Sequence, residues 1–563
     1  MGSPLRIVNG RVYDPANGVN GAVQDVCVRD GKIVADVPPD AKRIDAAGMV
    51  VMPGGIDIHC HIAGPKVNLA RKVQPETHRD DVQLRTRLTR SGTGGTVPST
   101  FATGYRYAAL GYTTAMEAAV TPLGARHTLE EFQDTPVLDK GFFVLVGNNL
   151  LLYRLLQEGR REELRQALAW WLKVTKAYAP KLVNPGGDEM WKGGRNANIT
   201  SLDDKIGSFD LTPRRVIAAF IEAGNELGLP HPVHIHCNNL GHSGNVETTL
   251  ETMRLAEGRR AHIAHIQFHS YGAAAGKSQS NPTSRARDII EYINTHPNIS
   301  ADVGAVMFGP ATIMTGDAPL AYMLRRFGSN KWVNADTENE SGCGIVPFKY
   351  QDRVYTNALQ WAIGLELLLL SEDPWRMVFS TDHPNGGSFM SYPRLIRLLM
   401  DRGYRKEQMA HVNQKALDHS ALRDCQEREY SLSEIAIITR AGPARLLGLT
   451  DKGHLGVGAD ADLTIYEEDE DKEKMFSAPR YVIKDGELII EDHELRADHQ
   501  GRLLHVAPDY DPQIEQVIEP FFEDFYTIRF ANYPVDDRYV PKGQIIPTTP
   551  SAAAAPATAG TRP

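Results

Sequence analysis

Cysteine is scarce in this chain. There are five in 563 residues, Cys27, Cys60, Cys237, Cys343 and Cys425, and none forms a CxxC pair. That spacing excludes a thiolate zinc site or an iron–sulfur cluster and fits a reducing cytoplasm. A metal here has to be held by His, Asp, Glu or a less usual donor. Long apolar runs are missing too: nothing approaches the ~18 residues of a membrane-spanning helix. The opening MGSPLRIVNG has no apolar core of a secretion signal. There is no cationic excess, since the net charge is −9. This argues against nucleic acid or a basic membrane patch as the main partner. Glycine-rich phosphate loops of the GxGxxG or GxxxxGK[ST] type are absent, which disfavours a dinucleotide- or nucleotide-binding sheet.

What is present is the composition of a globular protein, 42% hydrophobic and 23% charged. Residues 5–52 read as short strands, with hairpin signals at Asn9-Gly10 and Asp30-Gly31. The pattern returns in ADLTIYEED (461–469) and RYVIKDGELIIED (480–492). A small β-sandwich built from both chain ends, 1–52 and 446–502, is therefore expected. Between them, 53–445 alternates strands and helices. Strand candidates are GGIDIHCH, GYTTAMEAAV, GFFVLVGN, PKLVNPGG, HPVHIHCNN, AHIAHIQFH, ISADVGAV and WRMVFSTDHP. Eight strands with intervening helices predict an α/β fold of the (β/α)8 TIM-barrel type. Residues 503–546 read as an ordered extension, and its aromatic, acidic stretch 520–540 as a surface for a partner. The Ala/Pro-rich tail 547–563 reads as low-complexity and disordered.

The stretch PGGIDIHCHIAGPK (53–66) carries the chemistry. Side chains two apart share a strand face, so Asp57, His59 and His61 are expected to point one way, and Ile56, Ile58 and Cys60 the other. Paired imidazoles on one face are a usual metal-binding device. Further along, Lys181, His236, His265 and Asp382 fall at the ends of later strand candidates, the barrel end where enzymes of this fold work. His234 reads as a core histidine. His262 and His265, three apart, are expected on opposite faces.

Ordered as HxH, Lys, His, His and Asp, this set resembles the metal site of the amidohydrolase superfamily. The flanks IDAAGMVVMPGGIDIHCH and GVGADADLTIYEED resemble it as well. KLVNPGG, HIHCNNLGHSGNVETTL, HIQFHSYG and STDHPNGG narrow the likeness. They are similar to the A subunits of formylmethanofuran dehydrogenase and of the bacterial formyltransferase/hydrolase complex. The resemblance implies a metal-dependent amidohydrolase acting on a formamide C–N bond: N-formylmethanofuran, or its methylofuran variant, yields formate and the free amine. It implies two zinc ions on His59, His61, Lys181, His236, His265 and Asp382, bridged by a carbamate on Lys181, with Asp382 as proton acceptor. Lys192 is the alternative carbamate site. Asn238 and Asn239 are candidate donors to the formyl group, and Lys66 and Arg71 to the polyglutamyl tail of the coenzyme. Partners would be the B, C and formyltransferase D subunits, in the cytoplasm. Three alternatives stay open: condensation of formate with the amine, a hydantoinase-like cyclic-amide hydrolase, and a scaffold subunit with no activity.

Overall fold

Eight parallel strands form a curled sheet in a computed structural model that describes residues 4–79, 81–192, 198–273, 282–328, 331–335, 343–526 and 528–549. They are β1 Gly55–Cys60, β2 Tyr112–Val120, β3 Asp139–Leu145, β4 Ala179–Val183, β5 His234–His236, β6 Ala261–Ile263, β7 Ile299–Asp302 and β8 Met377–Val378. They pair in sequence order. The ring closes where Cys60 bridges His383 in parallel and the His61 amide donates to the His383 carbonyl at 2.7 Å. Each of the eight sequence segments expected to be a strand contributes one.

Parallel neighbours need crossover connections, and helices supply them. Helix α1 (Arg161–Thr175) opens with Glu162 and Glu163, which suit its positive end, and buries Leu164, Leu168, Trp171 and Leu172. Helix α2 (Pro213–Glu226) starts on a Thr212 cap with proline in its first turn and buries Val216, Phe220 and Ile221. Between β7 and β8 an insertion forms a three-stranded antiparallel sheet of Gly309–Thr315, Val333–Ala335 and Cys343–Tyr350, with a helix over Ala318–Gly328. Its Met314 and Ile345 pack on Val67 and Ala70 of the helix after β1.

Strands from both chain ends build two further sheets. One holds Lys32–Val34, Val26–Arg29, Leu5–Val8 and Lys42–Asp45; the other joins Arg11–Asp14, Val19–Val23 and Met49–Pro53 to Leu463–Glu467, Tyr481–Lys484 and Glu487–Glu491. Ile7, Val28 and Ile44 of the first share a core with Val12, Val51, Leu463 and Ile465 of the second. The two Asp-Gly turns are tight hairpins, with positive φ at Asp30, Gly31, Asp485 and Gly486. Asn9-Gly10 is not a hairpin: Leu5–Val8 and Arg11–Asp14 lie in different sheets, so the turn carries the chain across the core.

A buried ion network ties the barrel to the sandwich. Asp139, at the start of β3, contacts Lys452 at 2.6 Å, Lys484 at 3.1 Å and Arg502 at 3.1 Å. Burial alone would raise the Asp139 carboxyl, and these cations reverse that and hold it well below the usual carboxylate range. Removing one partner of such a network strands the other charges. Asp139→Ala is therefore expected to cost on the order of 3–5 kcal/mol in denaturant unfolding. A loss below about 1 kcal/mol would show that solvent reaches the cations.

The extension folds back on its own barrel. Leu503–His505 bridges β3 at Lys140 and pairs with Gly543–Ile545. The helix Glu515–Phe525 buries Phe521 and Phe522, and Phe522 and Tyr533 meet the rings of Trp170 and Trp171. Much of the aromatic content expected to face a partner across 520–540 is thus spent internally, leaving Phe525 exposed. Residues 550–563 of the tail expected to be disordered lie outside the described residues.

Candidate metal centre and cavity

The alternation expected for 55–61 breaks. Asp57 pairs with Ala115 and Cys60 with Glu117, so three steps on β1 face two on β2, a bulge that shifts the phase. Asp57 consequently turns outward and accepts hydrogen bonds from the hydroxyls of Tyr107 and Tyr392 on surrounding helices. Ile56 and Ile58 turn inward with Met116, Phe143 and Val378. His59 and His61 also face the interior, without Asp57.

Each of these two rings is held from behind. His59 Nδ1 lies 3.0 Å from Asp302 Oδ2 at the end of β7, and His61 Nδ1 2.8 Å from Glu117 Oε1 on β2. Glu117 also accepts the amides of Ile62 and Ala63 at 2.6 and 3.1 Å. Burial pushes its carboxyl up, but Lys66, His61 and these bonds bring it down to about 2. A carboxylate on Nδ1 fixes the tautomer that frees Nε2 as a lone-pair donor. Both Nε2 atoms lie 3.1 Å from one oxygen, Asp382 Oδ1. Asp382 follows β8 with a left-handed φ of 48° and accepts from Asn385 Nδ2 at 2.9 Å.

Opposite them, His236 Nδ1 and His265 Nε2 are 3.1 Å apart. β6 ends at Ile263, and His265 adopts φ 32°, which swings its ring inward. His262 and His265 therefore do not point opposite ways: His262 Nε2 lies 3.3 Å from Asp302 Oδ2, and the His265 ring lies 5.2 Å from that of His59, whose Nδ1 meets the same oxygen. Gly304 makes the turn possible, because a Cβ there would sit 2.4 Å from His265 Cβ. His234, as expected, is a fully bonded core histidine between His231 and His59, both at 3.0 Å. Burial pulls His234, His262, His265 and His269 below the ordinary histidine range, keeping the imidazoles neutral.

Lys181 on β4 lines the same cavity, is 1% exposed, and its Nζ has no hydrogen-bond partner. Burial draws its amine down to about 7. Lys192 instead pairs with Asp188 at 2.9 Å and is absent from the cavity wall. The cavity is about 620 Å³, with His59, His61, Lys181, His236, His265 and Asp382 at its polar end. Leu69, Val183, Phe268, Ile313, Leu320 and Phe348 supply apolar wall. Two sets of ligand atoms, His59–His61–Asp382 and His236–His265–His269, each fall within 4.8 Å of one another. Imidazoles with a carboxylate form a borderline donor set of the kind that takes zinc. The unpartnered amine beside them marks a place for a further group.

Lys66 lines the cavity, and its ammonium is bonded to the Ala119 carbonyl and lies 3.4 Å from Glu117. Arg71, Asn238 and Asn239 do not line it. Arg71 is committed to the carbonyls of Ile62 and Pro98 and to Asn68. The amide of Asn238 donates to Asn184 and Pro185, and that of Asn239 to Thr200. Sequence reasoning missed three carboxylates. Asp302 and Glu117 lie in recognised strands, ISAD and TTAMEAA, where a lone acid among apolar residues was the signal. Asp317, 2.7 Å from His236 Nε2, comes from the insertion and had no such signal.

The sequence profile of the Amidohydrolase family matches residues 42–490. Protein FwdA of Methanocaldococcus jannaschii is 45% identical, over 96% of this chain and 98% of its own. The A subunit of the formyltransferase/hydrolase complex Fhc of Methylorubrum extorquens is 40% identical, over 95% of this chain and 97% of its own. The crystal structure of the formyltransferase/hydrolase complex (FhcABCD) from that organism in complex with methylofuran superposes with a TM-score of 0.90. There the identity is 39%, over 96% of this chain and 98% of that one.

Proposed function

The chain belongs to the amidohydrolase family, and from that premise we propose that it hydrolyses an N-formylated methylofuran- or methanofuran-type coenzyme as the A subunit of a formyltransferase/hydrolase complex. The observation that carries the reading is the convergence of His59, His61 and Asp382 with His236, His265 and Lys181 at one end of a largely apolar cavity. Near full-length similarity to the Fhc relative supports it. In the net reaction water adds to the formyl carbon, the C–N bond breaks, the amine nitrogen gains a proton, and formate leaves.

His59, His61 and Asp382 would hold one zinc ion, and His236 and His265 another. Together the two ions would acidify a water and polarise the formyl oxygen. Lys181, neutral for much of the time near pH 7, would attack carbon dioxide through Nζ, lose one proton and become a carbamate. The proton released goes to water, and the modified Lys181 would offer carboxylate-like oxygens as further ligands where an ammonium would repel an ion. Asp382, held anionic, would take a proton from the attacking water and return it to the departing nitrogen. Apolar walls such as Phe268 and Phe348 would exclude bulk water and receive the ring system of the coenzyme. Lys66 is kept as a candidate for the glutamyl carboxylates. No helix among the described residues is long and apolar enough to cross a membrane; we place the complex in the cytoplasm on its few, scattered cysteines.

The test uses the protein purified with its accompanying chains. About two zinc ions per chain and formate release from the formylated coenzyme are expected, with chelation abolishing release and zinc restoring it. The same preparation should also condense formate with the free amine, because a catalyst serves both directions. A metal-free preparation inert in both directions would make the chain a scaffold.

A further inference from the structure

We propose that His269 is a third imidazole at the second metal position, beside His236 and His265. The inference rests on the two-metal reading above. His269 closes the short helical turn Ile266–His269 that follows His265, and it is fully buried. Its ring centroid lies 5.3 Å from those of both His236 and His265. One ligand atom from each of the three falls within 4.8 Å of the others.

Neither ring nitrogen of His269 has a hydrogen-bond partner. A neutral imidazole carries one donor and one acceptor, and leaving either unmet in a protein interior is destabilising. Two other core histidines, deeper in the barrel, avoid that loss. His231 meets the Leu446 carbonyl and His234, and His262 meets Ser300 and Asp302. At His265 one ring nitrogen is unpaired, at His269 both are, and a buried ring with neither nitrogen met calls for a missing partner. Substrate is a poor candidate, because His269 lies off the cavity wall.

A metal ion fits better. Asp317 engages His236 Nε2 at 2.7 Å, which sets the tautomer that presents the Nδ1 lone pair toward His265 Nε2, 3.1 Å away. Two nitrogens bound tetrahedrally at 2.0–2.1 Å would stand about 3.3 Å apart. The position is therefore already spaced for an ion, and His269 is the neighbouring imidazole with free lone-pair capacity. The Thr249 hydroxyl donates to the His269 carbonyl at 2.8 Å and anchors the turn that carries the ring.

The experiment is stepwise zinc removal from the intact complex by graded chelator, comparing wild type with His269→Ala and His269→Gln and counting zinc per chain. The second ion should leave the variants at about tenfold or more lower chelator concentration, with release of the first unchanged. Cobalt substituted at the second position should show an altered visible spectrum. X-ray absorption at the zinc edge of the wild type needs no variant and therefore no folding control. It should count the imidazoles of His59, His61, His236, His265 and His269, rather than the first four alone. Wild type with two ions, an imidazole count without His269 and unchanged release from the variants would overturn this inference alone. Wild type without metal would overturn the two-metal reading and this inference together.

Discussion

Asp382→Asn is expected to lower turnover by about a thousandfold or more while leaving most of the metal bound. Asp382 Oδ1 faces both His59 and His61 Nε2 and is braced by Asn385, and the residue lines the cavity. Burial raises its carboxyl, but the close approach of His59, His265 and His61 holds it well below the usual range. The carboxylate is thus the favoured form, and only that form can take up a proton. Asparagine preserves shape and a weak oxygen donor, but it cannot take up a proton at neutral pH. The check is turnover of the formylated coenzyme beside zinc analysis of the same sample. Turnover within a few-fold of wild type would assign the proton transfer to another group.

Lys181→Ala should lose both activity and much of the metal. The wild-type amine is buried without a hydrogen-bond partner, so a permanently protonated lysine would be unsolvated charge beside neighbouring cation sites. Carbamylation removes that charge. It requires the neutral amine, and burial brings Lys181 to about 7. At a fixed carbon dioxide pressure, reactivation of the metal-free protein should thus speed up as pH rises through about 7 and slow below it. Acetate or formate at high concentration should partly restore metal binding to Lys181→Ala by filling the gap. Mass spectrometry of the wild type under carbon dioxide, showing an unmodified Lys181 in fully active protein, would remove the carbamate from the account.

Most of the architecture is legible in the sequence because barrel strands are buried on both faces and stand out as short apolar runs ending in polar residues. His59, His61, His236 and Asp382 are legible for the same reason, each lying at or just past the end of such a run, whereas Lys181 and His265 are legible through the resemblance, since Lys181 lies mid-strand and His265 beyond its strand. The departures are local. Asp57 reads onto the wrong face because a bulge in β1 changes the two-residue period, and a pattern rule assumes an unbroken strand. His265 reads wrongly relative to His262 because the strand stops two residues before it. Arg71, Asn238 and Asn239 look like binding groups from their neighbours in sequence, whereas their donors are consumed by carbonyls and amides of loops that only the fold brings near. Asp317 is invisible, since its partner His236 is eighty-one residues away. The aromatic extension reads as an interface because its internal partners, Trp170 and Trp171, sit on a helix far earlier in the chain.

The ion network at the foot of β3 has a consequence for the order in which the molecule can be made. Asp139 is synthesised in the first third of the chain, yet Lys452, Lys484 and Arg502 come more than three hundred residues later. Until they arrive, burying β3 between its neighbours would leave this carboxyl without its cations or force it to take up a proton, at a cost either way. The base of β3 therefore gains its full set of partners only when Arg502, the last residue of the sandwich segment, has been added.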